Sequence, residues 1–143
     1  MRLPVLLAPF ALIACAAPAP EPPSGNARFP GYPQALFDAF RESCTGPART
    51  FVVTDRNNVE CRELMPPDVT ASVLLAFDGT LEDLPRLVVR FRAEPQAASY
   101  LVSNEVFVNV PQRQGEAVRI LFTDLRLRRD VAALYARAGG VPE

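Results

Sequence analysis

The sequence predicts an α+β fold: a two-layer sandwich in which a mainly antiparallel sheet of five or six strands carries an N-terminal and a C-terminal helix. Three observations predict it. Apolar residues recur at helical spacing near both ends of residues 33–143. Between those ends lie β-rich runs joined by short, turn-rich links, the mark of sequential hairpins. Strand and helix patterns do not alternate as βαβ units, so nothing calls for a parallel sheet. There is no internal repeat and no Gly-rich phosphate loop.

The first fifteen residues are not part of that fold. Met1-Arg2 supplies a positive start, and Leu3 to Ala14 follows without a charge. A spanning helix needs roughly 20 apolar residues, and Pro4 and Pro9 weaken this shorter run further. An apolar run of about 7–15 residues behind a positive start is a signal-peptide pattern. It ends in Leu12-Ile13-Ala14-Cys15, which resembles the lipobox of bacterial lipoproteins. Leu12, Ala14 and Cys15 fit it well, and Ile13 stands where a smaller residue is commoner. The resemblance covers residues 1–15 alone. It implies that residues 1–14 are removed and that Cys15 carries the lipid on its thiol and on its new amino group. Two or more acyl chains hold a protein stably at a bilayer, at about 0.8 kcal/mol per buried CH₂. Ala16 rather than Asp follows the cysteine, which by the same resemblance favours the periplasm-facing leaflet of the outer membrane over the inner membrane.

Residues 15–32 are then expected to be the anchor and its linker. Six prolines stand among the eighteen residues 16–33. Such a stretch is unsuited to a helix or a central strand and extends at about 3.1 Å per residue, a reach on the order of 55 Å.

Residues 33–143 are expected to form one domain. Pro33 suits the first position of a helix, and Leu36, Phe37, Phe40 and Cys44 share one face of it over 33–44 before Gly46-Pro47 stops it. Thr50–Thr54 and Val59–Glu63 flank the polar loop 55–58 and read as a hairpin, with Phe51, Val53, Val59 and Cys61 turned to the core. After Pro66-Pro67, residues 69–77 alternate between Val69, Ala71, Val73, Leu75, Phe77 and Thr70, Ser72, Leu74, Ala76. This period of two predicts a strand; a helix opened by Pro67 and stopped at Gly79 is the competing reading. Residues 86–92 mirror the alternation and would complete a second hairpin across the turn 78–83. A further strand is predicted over 100–110, with a bulge or break near Ser103-Asn104, and a last one through Val118, Ile120 and Phe122. Asp124 suits the N-cap of a final helix through Leu127, Val131, Leu134 and Tyr135, ended by Gly139-Gly140.

Charge and composition exclude several functions. All fifteen basic residues are arginine, and Lys, His and Trp are absent. Without the signal, 14 basic residues face 16 acidic ones, so the chain has no electrostatic reason to bind nucleic acid. Lack of His and Lys removes Ser-His, Cys-His and Ser-Lys nucleophile arrangements and lysine Schiff-base chemistry. Zinc-ligand spacings are missing too, and no metal or other cofactor is implied. Carboxylate chemistry survives in principle, but a domain of this size leaves little material for a substrate cleft.

Three cysteines are an odd count for an exported chain. If Cys15 takes the lipid, as the lipobox resemblance implies, Cys44 and Cys61 are left to pair in an oxidising compartment. That bridge would contribute roughly 3 kcal/mol in the chain-entropy model; two free thiols are the alternative.

Arg86, Arg90 and Arg92 share one strand face. With Thr70 and Ser72 from the adjacent predicted strand, they would make up the sheet face that helices leave open. Arg126, Arg128 and Arg129 gather at the start of the last helix. Arginine suits bidentate contacts with carboxylates and phosphates, so these arginines are a candidate dock for anionic lipid headgroups, lipopolysaccharide phosphates or an acidic partner, and the open face is the first place to look. The expectation is a lipid-anchored, non-catalytic envelope protein with a protein partner; a small-ligand or lipid carrier and a carboxylate-dependent wall-polymer enzyme are the alternatives.

Overall fold

The computed structural model describes residues 25–143; residues 1–24, and with them Cys15, lie outside the described residues. The fold is α+β. Strand β1 (Asn26–Phe29) leads into helix α1 (Gln34–Ser43), then the hairpin β2 (Arg49–Asp55) and β3 (Asn58–Leu64), then helix α2 (Pro67–Ala76). Two long strands, β4 (Arg86–Gln96) and β5 (Ser99–Val110), form the central hairpin, and β6 (Val118–Leu121), α3 (Leu125–Arg137) and the short β7 (Val141–Pro142) complete the chain. The seven strands form one antiparallel sheet in the order β2-β3-β4-β5-β1-β7, with β6 also on β5. One side of β5 pairs with β4 along its length. The other side is shared, with Tyr100 to Ser103 held by β1 and Phe107 to Val110 by β6.

Side chains alternate across each strand, and the register therefore sorts the sheet into two faces. Val59 and Cys61 of β3, Phe91 and Ala93 of β4 and Val102 of β5 lie together on one face. Against them pack Leu36, Phe37 and Phe40 of α1 and Val131 and Tyr135 of α3. Edge-to-face ring contacts run from Phe51 to Phe40, Phe91, Tyr135 and Phe29, with centroids 4.8–6.0 Å apart. Each such pair is worth about 0.5–1.5 kcal/mol beyond its burial. Cys44, the C-cap of α1, is bonded to Cys61 with Cα atoms 5.7 Å apart, so the first hairpin is stapled to the first helix. The predicted pairing is therefore present.

Four expectations need correction. Residues 69–76 are helix, not strand, and Phe77 is its C-cap: α2 has Pro67 in its first turn and Asp68 where it favours the helix dipole. The hairpin partner expected for it, β4, has both sides taken, by β3 and by β5. Residues 26–29, taken as linker, form a strand between β5 and β7, because Ala27 and Phe29 supply an inward face and Arg28 an outward one. No bulge interrupts β5; its register with β4 runs unbroken from Gln96↔Ser99 to Arg86↔Asn109. Val53 is 54% exposed, not core, although its cross-strand partner Val59 is buried: it stands near the end of β2, the outermost strand of the sheet.

Candidate functional site

On the sheet face turned away from α1 and α3, the ladders bring side chains into cross-strand rows. Arg86, Asn109 and Arg119 form one row over β4, β5 and β6. Arg62, Val88, Phe107 and Leu121 form the next, and Glu60, Arg90 and Glu105 the third. The first row, the second without Leu121, and Glu60 and Arg90 of the third line an open basin of about 360 Å³, walled on one side by Asp83 and Leu84. Four arginines and two carboxylates line it, so positive charge exceeds negative by two.

Glu60 is the fixed point of the basin. Its side chain is 4% exposed, and both of its oxygens are taken. Arg90 donates through Nε and Nη2 to Oε1 at 2.8 and 2.6 Å, and Arg62 donates through Nε and Nη2 to Oε2, both at 2.8 Å. Burial by itself would raise the carboxyl's pKa and is the largest single influence. The hydrogen bonds and charges of Arg62 and Arg90 outweigh it and hold Glu60 below its usual value. A buried carboxylate doubly gripped in this way is a structural anion. Arg90 also reaches Glu105 at 3.4 Å.

The floor is apolar. Phe107 is 1% exposed although it faces away from α1 and α3. The guanidinium carbons of Arg90 and Arg119 stand 5.0 and 5.1 Å from its ring centre, a double cation–π contact. Both guanidiniums are thereby held over a rigid surface.

The predicted site residues divide accordingly. Arg86 and Arg90 line the basin. Arg92 stands one row further on, donates to Asn58 Oδ1 at 3.0 Å, and lines a smaller neighbouring depression with Arg90. Thr70 and Ser72 are absent from this face, since both belong to α2. Thr70 is buried and donates to the Met65 carbonyl at 3.2 Å, and Ser72 donates to the Asp68 carbonyl at 2.9 Å. Glu60, Arg62, Phe107, Asn109 and Arg119 were not anticipated. The signal was available for two of them: if Val59 and Cys61 face the core, Glu60 and Arg62 must face away.

Among the described residues no group of three or more Asp, Glu or Cys side chains is placed to hold a metal ion, and no helix is long and apolar enough to cross a membrane. The chain matches no protein-family model, no curated protein and no solved structure at a significant level.

Proposed function

We propose that this protein is a non-catalytic, lipid-anchored envelope protein that engages a partner protein through its arginine-rich open sheet face. The observation that carries the reading is the excess of positive charge in the basin of a chain that is net acidic overall. Charge complementarity sets specificity and encounter rate at such a surface more than raw affinity.

Two features favour binding over catalysis. Carboxylate catalysis needs an acid with a raised pKa or a free nucleophilic oxygen, whereas Glu60 is held ionised with both oxygens engaged. A carrier would call for an enclosed apolar cavity of several hundred Å³. Between helices and sheet the aromatic core instead packs ring on ring, and the basin is open and rimmed by charge.

The anchor is tested by Cys15→Ser, which is expected to abolish palmitate labelling and release the protein from membranes. Persistence of either refutes it. The interaction is tested by in-cell crosslinking from photoreactive residues at Arg92 and Val52. A single partner that is captured there, and lost when the open-face arginines are neutralised, is the expected result.

A further inference from the structure

We infer that the row Arg86–Asn109–Arg119 is a binding site for a phosphomonoester group. The inference rests on the open face being the binding surface and narrows it to one ligand chemistry. Of the basin's four arginines, Arg62 and Arg90 are committed to Glu60. Arg86 and Arg119 make no ion pair among the described residues, and the side chain of Asn109 between them makes no hydrogen bond there. The three positions are successive cross-strand partners. With strands about 4.8 Å apart, the two arginine backbones stand roughly 10 Å apart and straddle the asparagine.

The donor set selects the ligand. Two guanidiniums and one amide offer forked donors on both sides and a further donor between them. A single carboxylate has two oxygens and is satisfied by one guanidinium fork. A phosphomonoester has three terminal oxygens and a charge of about −1.5 to −2 at neutral pH, which matches both the number of donor groups and the basin's excess of two positive charges. Arg119 is already immobilised over Phe107, which lowers the entropic cost of ordering it on a ligand. Leu84 gives the rest of a small molecule an apolar surface to lie on.

The same group exists free in solution and on a lipid headgroup, and the experiment separates the two. Isotope-labelled full chain bearing Cys15→Ser, which has no lipid of its own, is titrated with inorganic phosphate and with glycerol 3-phosphate while the arginine Nε–H signals are followed. Saturable shifts of Arg86 and Arg119, with a dissociation constant of ~1 mM or tighter, are the expected result. An Arg86→Gln/Arg119→Gln variant should weaken binding at least ~10-fold, and Arg126→Gln should leave it unchanged. Arg86→Lys/Arg119→Lys keeps the charge and removes the forks, so it should bind with intermediate strength and controls for folding. If the free probes fail but vesicles containing phosphatidic acid bind where phosphatidylcholine vesicles do not, and binding needs Arg86 and Arg119, the group is recognised on a headgroup. No binding to any probe, or binding that survives in the glutamine variant, overturns the assignment. A partner crosslinked at Arg92 or Val52 alongside that negative result would leave the interaction reading in place and remove this one.

Discussion

Glu60 shows what a single residue contributes here. It occupies the edge of the basin and bridges two guanidiniums from neighbouring cross-strand rows that would otherwise repel each other. Breaking a buried ion pair from one side strands the remaining charge, at about 3–5 kcal/mol. Arg62 is partly exposed, so Glu60→Ala is expected at the low end, about 3 kcal/mol, in urea unfolding. The pH dependence has a definite sign. The folded-state pKa of Glu60 lies below its ordinary 4.5, so the native state favours the ionised form. That stability is fully present above the unfolded-state value and is lost as pH falls through the folded one. A urea midpoint that drops on acidification below about pH 4.5, and drops less in Glu60→Gln, is the expected outcome. From the sequence, Glu60 was one of sixteen acids; its role came from Arg90, thirty residues away, being its cross-strand partner.

Among the elements, α3 was the most legible and α2 the least. Asp124 accepts a hydrogen bond from the backbone N–H of Arg126 at 2.7 Å, as its N-cap position implies. At the other end the Gly139 and Gly140 N–H groups donate to Ala136 and Tyr135 carbonyls at 3.2 and 2.8 Å, with Gly139 at φ +88°. This double bond with a left-handed residue is a Schellman stop. Gly140 has a separate reason to be glycine: a Cβ there would fall onto the Phe29 ring. Gly140→Ala is therefore expected to cost about 1–3 kcal/mol, read as a lowered thermal midpoint. Truncating Phe29 to leucine should return part of the loss. In α2, by contrast, the apolar residues of 69–77 fit a period of two as well as a helix, so periodicity could not choose. In the fold the hairpin is not made: both sides of β4, its expected partner, are taken by β3 and β5.

The whole molecule is held by contacts between its distant parts. Tyr135 of α3 donates to the Gly25 carbonyl at 3.1 Å, and the backbone N–H of Glu143 donates to the Asn26 carbonyl at 3.0 Å, so both ends of the described chain meet at β1. This changes the tether. Nine residues, 16–24, separate the proposed lipid on Cys15 from Gly25, a reach on the order of 30 Å even if fully extended, rather than the 55 Å of an eighteen-residue linker. The Cys44–Cys61 bond closes a loop with a separation of 17 residues, and reduction is expected to cost about 3 kcal/mol in the chain-entropy model. Thermal melts with and without reductant should show that difference, and a Cys44→Ala/Cys61→Ala variant should be insensitive to reductant.

The Cys44–Cys61 pairing was expected only through the lipobox resemblance; by itself the sequence determined the α+β class, the helices α1 and α3, the hairpin β2–β3 and the absence of His and Lys chemistry. Each depends on local periodicity, caps, turn residues or composition, which neighbours in the chain carry between them. Tertiary structure alone decided the state of residues 69–77, the recruitment of 26–29 and 141–142 as strands, and the gathering of Glu60, Arg86, Arg90, Asn109 and Arg119 into one basin. Those outcomes depend on which strand edges are still unpaired and on the register between strands far apart in sequence. A register is a property of two strands together, and neither strand carries it alone.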